Sequence, residues 1–307
     1  MISGFFVAMV IAATPLLLAT LGELMTEKAG HLNLGVEGMM LLGAVAGFGA
    51  GYSTDSPILA VIAAAMAGGF GGLIYGFLTI TLRANQVVSG LTLTIFGTGL
   101  SSFIGTRFVG KKMSDSFITF FEPKKIPILG DIPFIGPIMF EHDYFIYGSY
   151  TIAILLGVYL YKTRIGLHLT AVGENPSAAD ASGINVALYK YVHVVMGGAL
   201  CGLGGAYLAT VDVPQWQDGI TAGRGWIAIA LVIFVSWNPI KAIFGSLLFG
   251  GLSIIGFRLQ QFNISQNLLD ALPYIVTIVV LIISSMRKSK ENGPPKGLSV
   301  PYFREER

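Results

Sequence analysis

An all-α polytopic membrane protein with about eight or nine transmembrane helices is the fold class that this sequence predicts. Of its 307 residues, 53% are hydrophobic and 12% are charged, whereas soluble domains carry about 25% charged residues. The mean hydropathy is correspondingly high, at +0.71. Apolar stretches of roughly 20 residues, the length that crosses the hydrocarbon core as a helix, follow one another along the chain. They are continuously apolar and do not alternate, so they favour helices over a membrane β-barrel.

The predicted spans follow from these apolar stretches, and the first is read as a retained span because Met1-Ile2-Ser3-Gly4 lacks the basic residues of a cleavable signal. Pro15, Pro239 and Pro273 lie inside or between stretches, so one or more spans should be short or broken. The 40 glycines of the chain suit close contact between helices in lipid. The predicted spans are residues 2–21, 36–52, 58–82, 87–107, 149–161, 191–211, 225–235, 240–257 and 268–286.

A weak sequence similarity between two spans favours an inverted repeat. Met66-Ala67-Gly68-Gly69 in the third span resembles Met196-Gly197-Gly198-Ala199 in the sixth, and the two spans would run in opposite directions. Such a relation is typical of transporter folds with broken helices. The alternative is a chance similarity between two glycine-rich helices.

One transmembrane domain over residues 1–286 is therefore expected, followed by a loosely ordered cytoplasmic tail over residues 287–307 that is polar and rich in Pro and Gly. The long loop 108–148 is expected outside, where its aromatic residues favour a folded lid. The loop 162–190 is expected on the cytoplasmic side, because basic residues collect on that side if the spans alternate. These residues are Arg83, Lys162, Arg164, Lys190, Lys241 and the tail cluster Arg287, Lys288 and Lys290.

The loop 162–190 contains the signals of a short helix. Asn175 is a suitable N-cap, Pro176 suits the first helical position, and Gly183 suits the end. These signals predict a two-turn helix between spans, whose Ala178, Ala179, Ala181 and Ile184 form a small apolar surface. Such a surface can seat in a groove of another protein. An ordinary interfacial loop helix is the alternative.

Three motifs then point to a family. The segment Ala171-Val172-Gly173-Glu174-Asn175-Pro176, preceded by Gly166-Leu167 and followed by Ala178-Ala179 and Gly183-Ile184, resembles the cytoplasmic coupling loop of ATP-binding-cassette (ABC) importer permeases. The resemblance is to the ribose and branched-chain amino-acid class. Residues 27–40 and 84–91 resemble further signatures of that class, and the match covers most of residues 22–256. The version Asn33-Leu34-Gly35-Val36-Glu37-Gly38-Met39-Met40 is most similar to the nucleoside-importer branch, which depends on an external lipoprotein.

The resemblance implies a transport subunit without catalytic residues. A separate ABC ATPase would carry ATP and Mg and would contact a coupling helix formed by Gly173, Glu174, Asn175, Pro176, Ala178, Ala179 and Gly183. A second, paralogous permease would complete the pore as a heterodimer, and an external substrate-binding lipoprotein would deliver cargo at a bacterial-type plasma membrane. The chain has no Gly-x-x-x-x-Gly-Lys-Ser/Thr phosphate loop of its own.

Composition excludes several other functions. The net charge of +2 is small and spread over loops, which argues against nucleic-acid binding. The four histidines have no zinc spacing, and the single Cys201 cannot form a cysteine-based cluster. We therefore expect no metal and no cofactor on this chain, and its remaining partner is membrane lipid.

Polar residues next to spans are candidates for the translocation path. They are Asn33, Glu37, Asn85 and Gln86, and each has a capping alternative, since Glu37 begins its own span and a negative charge is favoured there. Gln215, Trp216 and Gln217 suit either a dock for the binding protein or an interfacial anchor, and the anchor is slightly favoured.

Two alternative functions remain open at this point. One is import of ribose or another simple sugar by the same machinery. The other is ion-coupled secondary transport, in which Glu23 and Glu27, at i and i+4 on one helix face, would relay protons or sodium ions. Against the relay, Glu23, Glu27, Lys28 and His31 are expected in a hydrated polar connection near the interface. Specificity itself can reside in the binding protein, so the sequence does not identify the cargo.

Overall fold

The computed structural model describes residues 2–259, 271–272, 274–279, 282 and 293–304. Within them the regular elements are helices, apart from one small antiparallel sheet formed by two-residue strands, β1 (Lys124–Lys125) and β2 (Glu141–His142). The predicted all-α class is confirmed. The helices are α1 (Ile2–Lys28), α2 (Val36–Thr54), α3 (Pro57–Gly76), α4 (Gln86–Gly105), α5 (Asp115–Phe120), α6 (Ile135–Met139), α7 (Tyr144–Lys162), α8 (Arg164–Glu174), α9 (Pro176–Ala181), α10 (Val186–Tyr207), α11 (Arg224–Phe234) and α12 (Pro239–Leu259).

Six helical segments of the described chain are long and apolar enough to cross a membrane. They are Ser3–Lys28, Pro57–Thr81, Gln86–Phe108, Tyr144–Lys162, Val186–Asp212 and Pro239–Gly256. Helix α2 adds a buried central helix, and its glycines and Glu37 make it less apolar than those six. The predicted span 268–286 lies outside the described residues except for 271–272, 274–279 and 282, which are helical.

Three predicted boundaries were wrong, each at polar residues. Helix α10 begins at Val186, five residues before the predicted 191, since the Asn185 side chain accepts the Leu188 N–H at 3.0 Å and caps the helix. Helix α7 begins five residues before the predicted 149, since the Asp143 carboxylate accepts the N–H groups of Phe145 and Ile146 at 2.8 and 3.0 Å and so caps the helix. Helix α1 continues past the predicted 21 to Lys28 and carries Glu23 and Glu27 within it.

The centre of the bundle is α10, which packs against α1, α2 and α3. Glycines make these contacts possible: a Cβ on Gly205 would lie 1.8 Å from the Met40 carbonyl oxygen, and one on Gly68 would lie 2.2 Å from that of Gly198. The backbones therefore touch at the crossings, as small residues allow in membrane bundles.

The two similar glycine motifs meet where helices α3 and α10 cross. Helices α3 and α10 run antiparallel, because Ala64 approaches Gly202 while Gly72 approaches Val194. Each helix then ends in a single π-helical turn, Phe77–Thr81 and Leu208–Asp212 respectively. This shared geometry agrees with the inverted repeat that the sequence favours.

Helix α11 is the broken element. Its 11 residues give a length of about 16 Å at about 1.5 Å per residue, which is too short for a hydrocarbon core of about 30 Å. The segment before it is non-helical. Non-helical backbone at membrane depth is tolerated where protein surrounds it, and Thr221 of this segment is fully buried.

The loop 108–148 is folded, as its aromatic residues predict. Phe117 and Phe121 pack against each other with ring centroids 5.5 Å apart, and Phe121 contacts Phe145 of α7 at 6.0 Å between centroids. The Trp216 N–H donates to the Lys111 carbonyl at 3.3 Å. The loop is thus hydrogen-bonded to the segment that precedes α11.

Candidate functional site

Helix α9 has the caps that the sequence predicts. The Asn175 side chain accepts the Ala178 N–H at 3.0 Å, Pro176 is the first helical residue, and Gly183 has the positive φ of 83° that favours glycine. The helix has six residues, which is closer to one and a half turns than to the two that we predicted. It lies between α8 and α10, outside the spans.

Gly173 and Glu174 do not belong to this short helix. They are the last residues of α8, an 11-residue amphipathic helix that the sequence analysis missed. Glycine lets α8 fold back tightly: a Cβ on Gly166 would lie 2.2 Å from the Tyr159 carbonyl oxygen, and one on Gly173 would lie 2.3 Å from that of Lys28. Gly173 is thus a packing residue, whereas Glu174 is exposed.

The outer surface of α9 is smaller than predicted. Ala179 is buried and packs with Val172 and Val186, so it faces the protein interior. Ala178 and Ala181 are exposed. Together with Glu174, these two alanines form the surface that α8 and α9 offer to a partner.

The tail holds the inner side of α9, so the prediction of loose order is wrong for residues 293–304. The Gly297 N–H donates to the Gly173 carbonyl at 2.9 Å. The Tyr302 hydroxyl donates to the Asp180 carboxylate at 2.7 Å, and Arg304 Nε lies 3.3 Å from the same oxygen. Residues 287–292 lie outside the described part.

Glu37 caps a helix, but not its own. The Thr221 hydroxyl and the Gly223 N–H donate to Glu37 Oε1 at 2.5 and 2.9 Å, and the Gly225 N–H donates to Oε2 at 2.6 Å. These donors form the N-terminus of α11. A negative charge is favoured at that position, so the carboxylate fixes the broken helix to α2.

Asn33 and Gln86 hold the turn between α1 and α2 inside the bundle. The Asn33 N–H donates to Glu23 Oε1, and the Leu32 N–H donates to Gln86 Oε1, both at 2.8 Å. Both side chains are buried. Gln86 is therefore not a cap, whereas the exposed Asn85 caps α4 by accepting the Val88 N–H at 3.0 Å. Of the four candidate path residues, Asn33, Glu37 and Gln86 are thus buried and Asn85 is exposed.

The expectation of a hydrated connection around Glu23 is wrong. Glu23, Glu27 and His31 are 0%, 1% and 1% exposed, because the turn after α1 folds back into the bundle. The indole N–H of Trp237 donates to Glu27 Oε2 at 2.5 Å, so this tryptophan is a core residue. Burial, together with the nearby Lys190 ammonium, holds the pKa of His31 well below its usual value.

Trp216 is neither a dock nor an interfacial anchor. It is 3% exposed and packs against Phe48 with ring centroids 5.8 Å apart, over Gly105. Gln215 is half-buried and pairs with Lys112, and only Gln217 is exposed.

A bundle of helices long and apolar enough to cross a membrane, with a capped helix pair outside the spans, defines an integral membrane protein. The chain belongs to the family described as "Branched-chain amino acid transport system / permease component", whose model matches residues 5–283. It is an integral membrane permease subunit of the ABC class, which works with an ATPase.

Three relatives match nearly the whole chain. A putative glucose ABC transporter permease protein of Haloferax volcanii is 36% identical over 99% of this chain and 98% of that protein. The guanosine ABC transporter permease protein NupQ of Bacillus subtilis is 36% identical over 94% of each. The nucleoside ABC transporter permease protein NupC of Lactococcus lactis is 34% identical over 90% of each.

A solved structure shares the fold. The chain described as "PsaBC from Streptococcus pneumoniae in complex with Fab" superposes with a TM-score of 0.52 at 15% identity, and the match covers 97% of this chain and 98% of that one.

Proposed function

We propose that this chain is the membrane subunit of an importer that moves nucleosides. The observation that carries the proposal is that two relatives, at 36% and 34% identity, bear nucleoside or guanosine in their names and match at least 90% of this chain. The motif from Asn33 to Met40, which resembles the nucleoside branch, agrees with them.

The ATPase contact in this proposal is the outer face of α8 and α9. Ala178 and Ala181 leave a flat surface with little side-chain entropy to lose on docking. Glu174 adds an exposed charge beside them. Because Asn175 caps α9 and the tail supports its inner side, a push from the ATPase would reach α10 as a rigid displacement. ATP and Mg would be bound by the ATPase.

The membrane orientation follows from charge. Lys162 ends α7, Arg164 begins α8 and Lys190 lies near the start of α10, and Lys and Arg concentrate near the cytoplasmic ends of spans. We therefore place α8, α9 and the C-terminal tail on the cytoplasmic side of a bacterial-type plasma membrane.

Two further partners complete the proposed importer. A paralogous second permease would cover apolar side chains of α3 and α4 such as Met66, Ile95 and Phe103, which are 69%, 74% and 72% exposed in this subunit. An external binding lipoprotein would dock on the opposite face, near the folded loop 108–148 and the exposed Gln217.

Transport assays test the proposal directly. The complete importer, reconstituted in liposomes with ATP inside and binding protein outside, should take up a labelled nucleoside at least about tenfold faster than glucose or ribose. Uptake should persist when ionophores collapse all ion gradients. Uptake that fails without a gradient would contradict the ABC mechanism and favour a relay through Glu23 and Glu27.

Simple-sugar import is the second candidate, and a specific observation favours it. The relative from Haloferax volcanii, named as a putative glucose permease, is as similar to this chain as the guanosine permease is. Faster uptake of glucose or ribose than of any nucleoside in the same liposomes would select this candidate.

A further inference from the structure

A cavity of about 390 Å³ lies beside α9, and Asp180 of that helix is one of its lining residues. Its walls come from α9, the first turn of α10, the end of the π turn after α3, and the tail. Tyr302 and Arg304 of the tail form one side of the cavity.

The lining of this cavity is strongly basic. Among the lining residues that the structure describes, Arg83, Lys190 and Arg304 contribute three cations, against one carboxylate, Asp180. That carboxylate already accepts the Tyr302 hydroxyl at 2.7 Å and lies 3.3 Å from Arg304. The positive charge of Arg83 and Lys190 is therefore in excess.

Two of the lining side chains are buried and have no hydrogen-bond or ion-pair partner among the described residues. Lys190 is 4% exposed, and its ammonium makes no hydrogen bond or ion pair with any residue that the structure describes. His31 is 1% exposed, and neither ring nitrogen has a hydrogen-bond partner there. Buried charges and polar groups are normally paired, since an unpaired one costs free energy. An anion in the cavity would supply the missing partner.

The first turn of α10 adds backbone N–H donors to the lining of the cavity. The Asn185 side chain accepts the Leu188 N–H at 3.0 Å, while Val186 and Ala187 of the same turn line the cavity. First-turn N–H groups have no acceptor within their own helix. They also form the positive end of a 22-residue helix, a position that favours phosphate.

We propose that this cavity binds a phosphate group. Inorganic phosphate near its dianionic form and the singly charged phosphodiester of a lipid headgroup both suit the two unneutralised cations, Arg83 and Lys190. The several acceptor oxygens of either group match an ammonium, a guanidinium and helix N–H groups converging from separate elements. The phosphate comes either from the aqueous phase or from the headgroup of an anionic lipid. Bound there, it joins α9, α10 and the tail into one unit. The proposal depends on neither the cargo nor the ATPase.

Binding is measured on the purified full-length chain in nanodiscs of phosphatidylcholine. Inorganic phosphate should raise the thermal unfolding midpoint above that in chloride at equal ionic strength. Lys190→Met should raise the Kd for phosphate about tenfold or more, because it removes a buried charge-assisted contact. Arg83→Gln, at an exposed position, should also weaken binding and serves if Lys190→Met does not fold. Lys162→Gln, an exposed cation outside the cavity, should change nothing.

A second arm identifies the source of the phosphate. In nanodiscs containing phosphatidylglycerol, without phosphate in the buffer, a raised midpoint that is lost in Lys190→Met and Arg83→Gln supports the lipid headgroup. A response only to inorganic phosphate supports a soluble ligand. No response in either arm, or equal responses in wild type and both cavity variants, would overturn the proposal.

Discussion

The Glu37 carboxylate shows how one side chain joins two distant elements. It accepts three donors from the N-terminus of α11 and is 7% exposed. Glu37→Gln should lower the free energy of unfolding by about 1–3 kcal/mol, because an amide offers one acceptor oxygen and leaves buried donors unpaired. The thermal unfolding midpoint checks this, with the exposed Glu122→Gln as control. An unchanged midpoint in Glu37→Gln would show that α11 does not depend on this cap.

Which residues could be assigned from the sequence depends on how far away their partners are. Asn85 and Asn175 were predictable as caps because each bonds an N–H three residues ahead. Glu37 was assigned to the wrong helix because its donors lie more than 180 residues away. Trp216 looked like a surface residue among glutamines, and nothing in the local pattern shows that Gly105 makes room for its ring.

At the scale of single elements, α9 makes the coupling hypothesis testable. Glu174→Lys reverses an exposed charge at the end of α8 and should reduce ATP-driven uptake about tenfold or more, because a cation of the ATPase that pairs with the Glu174 carboxylate in the proposed contact would be repelled by the lysine. The amount of protein in the membrane should not change. Uptake and substrate-stimulated ATP hydrolysis are measured together.

The matched control is Glu122→Lys, the same change at an exposed position in the loop 108–148, which should retain normal uptake. Gly173 is a poor site for this test, since any Cβ there meets the Lys28 carbonyl oxygen at 2.3 Å and disturbs packing. Normal uptake by Glu174→Lys would remove this surface from the coupling path.

Helices α8 and α9 differ in how well the local sequence predicts them. A cap, a proline and a glycine predict helix α9, and all three are local signals. Helix α8 was missed because its polar residues made the segment look like a loop. Its buried Leu169 and Val172 are apolar positions at i and i+3, a weak signal in only 11 residues.

At the scale of the whole molecule, the spans follow from apolar length and the crossings from glycine. The sequence does not show how deeply the polar segments are buried in the helix bundle. Glu23, Glu27 and His31 form a polar run that reads as a surface connection, yet the bundle closes over them. The tail was read as loose because of its composition, although the chain fold brings Tyr302 to Asp180.

The orientation of the molecule gives the last prediction, and the single Cys201 makes it simple to test. That thiol is 1% exposed, so the unmodified chain should resist a membrane-impermeant maleimide. Ser182→Cys, beside α9, should react only after the cytoplasmic face is opened, whereas Glu122→Cys should react in intact cells. Labelling of Ser182→Cys from outside would show that the orientation is the reverse of the proposed one. Helix α9 would then lie outside the cell, where no cytoplasmic ATPase could contact it.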